Sequence, residues 1–475
     1  MIRASLINPV IIFFAGLLSA SVLADDRLDK TGETLAAYAA GYKAAFTCSA
    51  TFNARKSKTQ IAAQELSGIY PAYQAIVNNL PEAVVHEKQR WVSVAFSKSL
   101  PPRIAVWRPH LGCVQLPTGA DPKTIAAVPD IVITPPHHDD NAPWQQRSSI
   151  NGTSGNPSLD NVVKSAFKGD AFNTDYGKDA FTTAILIATP ERLIAEHYIE
   201  GYDHKTSQRT WSVAKSIAAS VIGVAVKDSI VDLKAPAGIS SWQQTLDPRN
   251  QITLENLLHM ASGLDSNRAG NRTDRLYLGG GRVVDTAASN ALEVLPGSRW
   301  KYANNDTVLA MLALRHSFAN QVDYLAYPFQ KLLHKIGMMD TYLETDWNGD
   351  FIMSSQVWTT SRDLARLGIL YLNNGIWNGE QILPGDWRTY VSSPAPAQPE
   401  RGNIGYGAQF WLYRDYAEKT RIPVPTDAFA ARGNRGQFLM IIPSRQLVIV
   451  RRGHDPAGGE GFQLERFTAS VLKVL

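Results

Sequence analysis

The chain has 475 residues, 44% of them hydrophobic, and a formal charge of +4 from 47 basic and 43 acidic side chains. That length buries a large core and allows more than one domain, while so small a charge, with no block of Lys or Arg interleaved with aromatics, excludes the footprint of a nucleic-acid binder. The two cysteines, Cys48 and Cys113, have no second Cys at ligand spacing, which argues against a metal site.

The first residues, "MIRASLINPVIIFFAGLLSASVLADD", carry a basic Arg3, an apolar run from Val10 to Leu18 and small residues up to Ala24. This pattern predicts a secretory signal peptide over 1–24, cleaved after Ala24. No later segment approaches the run of roughly 20 apolar residues that a membrane span needs. The expectation is a soluble, exported mature protein, periplasmic or secreted, in which Cys48 and Cys113 form one disulfide. Two free buried thiols are the alternative.

Residues 25–132 form a small N-terminal region. "TLAAYAAGYKAAFTCSATF" predicts a small-residue helix running into Cys48, and "WVSVAFS" and "RIAVW" alternate as a strand pair around Pro101 and Pro102. Nothing in this region spells out chemistry. The stretch 133–160, rich in Pro, Asn, Ser and Gly, predicts a linker. His137, His138, Asp139 and Asp140 within it fit a solvated segment better than a metal site, because adjacent residues of an irregular segment rarely converge on one ion.

From 161 to 475 the pattern is that of a larger domain. "FTTAILIATPERLIAEHYIEGYD" predicts a hairpin turning at Pro190, Glu191 and Arg192, followed by a helix over 211–228. The end of the chain returns to strands, "GAQFWLY", "QFLMIIPS" and "QLVIVRRG", and closes with the helix "ERFTASVLKVL". Strands at both ends with helices between them predict an α+β fold in which both ends complete one antiparallel sheet.

Ser-x-x-Lys occurs four times, as Ser165 with Lys168, Ser212 with Lys215, Ser298 with Lys301, and Ser470 with Lys473. Only Ser212 opens a strongly apolar helix after a predicted strand pair. There the helix dipole favours developing negative charge at the serine. Lys215, one turn on, falls on the same face, and burial disfavours its ammonium form. A neutral amine beside a hydroxyl makes a nucleophile. The stretch by itself equally allows Ser212 as a helix cap and Lys215 as a surface lysine whose head reaches water.

No G-x-S-x-G elbow, H-E-x-x-H site or phosphate loop competes with this pair. Further on, "LPGSRWKYANNDTVLAML" sets Tyr302 and Asn304 at the start of another apolar helix. A phenol placed between two cations would have its pKa lowered and could shuttle protons, and an asparagine amide could hold a carbonyl or the lysine. Tyr371 and Asn373, the other Tyr-x-Asn, fit a helix end capped by Gly375.

Taken in order, Ser212-x-x-Lys215, "LENLLHMASGLD", "PGSRWKYANND" and "WTTSRDLARLGILYLNNGIWNGEQILP" resemble the class C β-lactamase-like serine hydrolases, a group that includes penicillin-recognising DD-peptidases, esterases and 6-aminohexanoate-dimer hydrolases. The resemblance covers about 160–475. It implies a mixed sheet flanked by helices with a helical subdomain, and an acyl-enzyme mechanism without metal or organic cofactor. By the same resemblance Ser212 is the nucleophile and one oxyanion donor, Lys215 its proton acceptor, Tyr302 the acid and base, and Asn304 the substrate-orienting amide.

The family's usual Lys-Thr-Gly or His-Thr-Gly is replaced here by Ala431, Arg432 and Gly433, with the second oxyanion N–H expected at about Ala431 or Arg432. Loss of that lysine shifts the expectation from β-lactams toward an ester or amide, in the manner of the 6-aminohexanoate-dimer hydrolase and esterase branch. Arg432 or Arg435 are the candidates to replace the missing cation. A β-lactamase or DD-peptidase-like enzyme, and a catalytically silent envelope binding protein, stay open as alternatives.

The expected partner is a small ester, amide or β-lactam, and oligomeric state is not legible. His259 fits a structural histidine near the site, Tyr277 a pocket-lining or loop aromatic, and Asp363 with Arg366 a helix-start pair. Loops 265–290 and 395–430 are expected to set specificity.

Overall fold

The computed structural model describes residues 32–136, 154–167, 175–266 and 274–475. The expected signal peptide, His137 to Asp140 and most of the expected linker lie outside the described residues.

The N-terminal region is a helix laid on a small sheet. Helix α1 (Gly32–Phe52) is followed by α2 (Pro71–Asn79) and by four antiparallel strands in sequential order, β1 (Val84–His86), β2 (Trp91–Val94), β3 (Arg103–Arg108) and β4 (Gly112–Gln115). The strand pair read from sequence is β2 and β3, with Trp91 opposite Val106. Ala40, Ala44 and Cys48 of α1 pack on Val92, Val94 and Ala105, and their small side chains let the helix lie close to the sheet. Cys48 and Cys113 are joined in a disulfide that ties α1 to β4. A link of this loop length stabilises a fold by about 2–4 kcal/mol.

The larger body is a seven-stranded antiparallel sheet. The predicted hairpin is β5 (Thr182–Ala188) and β6 (Leu193–Tyr198). The chain then builds helices α3 (Val213–Lys227), α4 (Asn304–His316) and α5 (Ser361–Leu372) before returning to strands. These are β7 (Gly405–Tyr406), β8 (Trp411–Leu412), β9 (Phe429–Gly433), β10 (Gln437–Ile442) and β11 (Leu447–Gly453), followed by the terminal helix α6 (Leu464–Val474). The spatial order is β7-β8-β9-β10-β11-β5-β6, so β11 pairs with β5 and the two ends of this body meet in one sheet, as the pattern predicts.

Strand alternation divides the core into two layers. Phe429, Ala431, Leu439, Ile441, Val448 and Val450 face the layer that holds α3 and α5. Ala430, Met440, Ile442 and Ile449 face α6. Helix α3 is buried on every side from Val213 to Ala225, which explains its all-round apolar sequence. Gly223 is required there, because a Cβ would lie 2.5 Å from the Trp387 ring. Among the described residues no helix is long and apolar enough to cross a membrane.

Candidate active site

Between the short strand Gln208–Arg209 and α3 the chain turns sharply, and Trp211 adopts φ +49°. A bulky aromatic in that region costs on the order of 1–3 kcal/mol and persists only when its surroundings over-determine it. They do so here. The Arg209 guanidinium sits 4.1 Å from the Trp211 ring centroid and 4.2 Å from that of Phe46 on α1, and the two rings themselves meet at 5.9 Å, so the cation rests against both aromatics. Its Nε donates to Ser355 O (3.2 Å) and its Nη2 to Ser355 Oγ (3.2 Å). Thr210 donates to Val357 O through both its backbone N (2.8 Å) and Oγ1 (3.0 Å).

The turn delivers Ser212 to the head of α3. Its backbone is already helical and its side chain makes no capping bond, which removes the helix-cap reading. Lys215 is 1% exposed, which removes the surface-lysine reading. Its Nζ donates to Asn304 Oδ1 (2.8 Å), to Ser354 O (2.7 Å) and, when charged, to Ser212 Oγ (3.1 Å). Burial lowers its pKa to about 7, with the Asp306 carboxylate pulling the other way. A neutral amine has two N–H groups and one lone pair. With both N–H groups spent on Asn304 and Ser354, the lone pair is left for Ser212.

Tyr302 brings its ring centroid to 5.0 Å from Lys215 Nζ and its phenol into a hydrogen bond with Ser212. The expectation of a lowered phenol pKa is corrected by this geometry. Burial among rings raises it, Trp411 stacking at 5.6 Å and Tyr406 standing edge-on at 6.2 Å, and the Ser212 hydrogen bond only partly offsets that. Lys215 is the one cation over the ring among the described residues, and it is itself close to neutral. The resting phenol therefore holds its proton.

Sequence reasoning missed Asp306, one turn into α4. It is buried with its pKa raised by desolvation to about 7, and it accepts from Ser262 Oγ (2.8 Å) and Ser262 N (3.4 Å). An acidic residue following Tyr-x-Asn in an otherwise apolar helix was the available signal.

Strand β8 pairs only with Phe429 and Ala430 of β9, so its ladder stops short of Ala431 to Gly433. Gly433 is the member of this candidate stretch that touches the serine turn: a Cβ there would lie 2.3 Å from Thr210 O and 3.2 Å from Ser212 N. Ala431 faces the α3 layer and is fully buried.

The two arginines expected to replace the missing lysine are turned away, and that expectation is corrected. Arg432 alternates to the opposite face of β9, where it donates to Tyr413 Oη (2.6 Å) and pairs with Glu465 of α6. Arg435 is spent on the carbonyls of Gln64 (2.8 Å), Ser67 (2.8 Å) and Asp455 (3.2 Å).

The remaining candidates fall into place around this centre. Tyr277 bonds through its hydroxyl to Ser354 Oγ, the side chain of the residue whose carbonyl receives Lys215. His259 is buried with its pKa lowered to about 4, so it is neutral, and its ring packs 5.5 Å from Tyr390. Asp363 and Arg366 pair at 2.8 Å at the start of α5, and Tyr371 is buried against Ser220. Of the other serines, Ser165 and Ser470 bond back to carbonyls of their own helices and Ser298 to Leu295 O, while Lys301 pairs with Glu293. Lys168 lies outside the described residues. Among the described residues no group of three or more His, Cys, Asp or Glu could hold a metal ion.

A serine at the head of a buried helix, a lysine one turn on and a sheet edge beside them define the class of serine hydrolases with an antiparallel sheet flanked by helices. The family model described as Beta-lactamase matches residues 173–468, and the chain belongs to that family, whose members are serine hydrolases.

The fold is similar to that of a candidate 6-aminohexanoate-dimer hydrolase from Bacillus anthracis (23% identity, TM-score 0.52, covering 62% of this chain and 79% of that one). It is also similar to a candidate beta-lactamase from Bacteroides dorei (18%, 0.51, 62% and 94%). A third similar structure is EstCE1, a hydrolase with promiscuous acyltransferase activity (16%, 0.50, 67% and 97%). At these identities the likeness is one of fold. An uncharacterized protein of Alkalihalophilus pseudofirmus is 28% identical over 149 residues, which are 30% of this chain and 42% of that protein, so the chain spans less than half of that relative. Residues 32–136 lie outside the family match.

Gly433→Ala is expected to displace the Ser212 turn and lower kcat on an activated ester by about 100-fold with the fold intact by circular dichroism, misplacement of reacting groups being that costly. An unchanged kcat would show that the turn tolerates the methyl group.

Proposed function

We propose that the protein is an exported serine hydrolase that cleaves an ester or amide through an acyl-enzyme on Ser212. The observation that carries this reading is the buried Lys215 Nζ, 3.1 Å from Ser212 Oγ and held by Asn304 and Ser354, which on losing one proton turns a lone pair to Ser212. Lys215 takes the Ser212 proton as Oγ attacks the carbonyl carbon. The oxyanion that forms is held by Ser212 N–H, at the positive end of α3, and by the backbone at the Gly433 end of β9. Tyr302, which rests as a phenol, gives its proton to the departing alkoxide or amine and recovers one when water attacks the acyl-enzyme. Asn304 orients Lys215 and the substrate carbonyl.

Preference for an ester or amide over a β-lactam is supported by the directions of Arg432 and Arg435, neither of which offers a guanidinium to a carboxylate beside Ser212. Export is supported by the Cys48–Cys113 disulfide, since such links persist in oxidising compartments. The intact mass of protein recovered from the periplasm or medium should correspond to a chain beginning at Asp25. A mass that retains residues 1–24 would contradict cleavage.

Ser212→Ala should lower hydrolysis of p-nitrophenyl esters by at least about 1000-fold and abolish fluorophosphonate labelling. Retained activity would end the assignment, and a penicilloyl adduct turned over faster than the esters would move it to a β-lactamase. Protonation of Lys215 removes the lone pair, so kcat/KM should fall about tenfold per pH unit below about 7 and level off just above it. A profile flat through that range would exclude Lys215 as the base.

A further inference from the structure

The N-terminal region, outside the family match, closes around the Ser212 turn. Tyr70 caps the N-terminal end of α2 and sits edge-on to Trp211 with centroids 6.3 Å apart and planes at 86°. Its hydroxyl end is sheltered and bonded to the side chain of Asn434, the residue after Gly433. The residue as a whole is nonetheless 41% exposed. Tyr302, bonded to Ser212, is stacked on Trp411, which is in edge contact with Trp300 at 5.9 Å. Tyr277 bonds through its hydroxyl to Ser354, whose carbonyl accepts from Lys215, so it too lies beside the Ser212 centre.

Tyr70 is also held in place. Arg435 ties the turn after β9 to the carbonyls of Gln64 and Ser67, just before Tyr70, and Tyr73 donates to Asp274 Oδ2 (2.8 Å) on the segment that carries Tyr277. A partly exposed tyrosine held against the residue that precedes Ser212, and bonded to the residue that follows Gly433, is a preorganised contact surface.

We propose that Tyr70 is a substrate-contacting specificity residue, forming a wall beside the Ser212 turn and selecting substrates with an apolar or aryl group flanking the scissile carbonyl. The proposal rests on the reading of Ser212 as nucleophile. The N-terminal region is thereby part of the binding site.

The test uses the full exported chain and two ester series, one varying the acyl group (acetate, butyrate, phenylacetate) and one varying the leaving group (methyl, phenyl, naphthyl). Tyr70→Ala should lose about tenfold of its preference for the apolar or aryl member in one series, through KM, as expected for removal of an aromatic contact. Tyr70→Phe should keep that preference. A preference lost in either series supports the wall and says which side of the carbonyl it meets. An equal change across every ester, or none, overturns it. Fluorophosphonate labelling of the unmodified protein separates the two readings: labelled protein with unchanged Tyr70→Ala selectivity sinks the wall alone, and unlabelled protein sinks the Ser212 reading beneath it.

Discussion

One amine in the protein interior sets the terms for the rest of the site. A buried ammonium without partners is too costly to persist, and burial answers this by driving the group toward its neutral form and supplying acceptors for its remaining N–H groups. For Lys215 those acceptors come from two distant parts of the chain, Asn304 at the head of α4 and the carbonyl of Ser354. Helix α3 has to be apolar on all sides to keep water away, and α4 has to begin with its amide turned inward. Asp306 moderates the effect, since a carboxylate in the same interior draws the amine back toward its charged form while desolvation draws the carboxylate toward its neutral one. Lys215 is thus held near the middle of its titration in neutral solution.

A second constraint is mechanical. The peptide that precedes Ser212 is bent through a left-handed tryptophan, and the residues that hold it there belong to both parts of the molecule: Arg209 and Ser355 from the larger body, Phe46 and Tyr70 from the N-terminal region. The disulfide fixes α1, and hence Phe46, against its own sheet. What looks from composition like an appendage is continuous with the serine turn.

Much of this was legible before any coordinates. Apolar periodicity located the hairpin, the buried helix and the closing strands, because burial on one or all faces leaves a periodic mark. Ser212, Lys215, Tyr302 and Asn304 stood out because each begins or lies one turn into an apolar helix, and the structure brings those four together. Three things were not legible. Trp211 and Tyr70 carry no local mark, since their roles come from contacts far away in sequence. The phenol was misjudged because its environment is made by Trp411 and Tyr406, roughly a hundred residues downstream. Arg432 was misplaced for a reason open to correction from sequence: in a strand, neighbours alternate, so once Ala431 and Gly433 face the serine layer, the arginine between them faces the other.

The cluster of Phe46, Arg209 and Trp211 also bears on the order of events in folding. Phe46 and Trp211 are separated by more than a third of the chain, and contacts of such separation form late because a long loop must first be closed. Until then the Trp211 turn rests on the larger body alone, through Arg209 on Ser355 and Thr210 on Val357, without the contacts of Phe46 and Tyr70. The full set of contacts around the serine turn is therefore assembled only when the N-terminal region has docked.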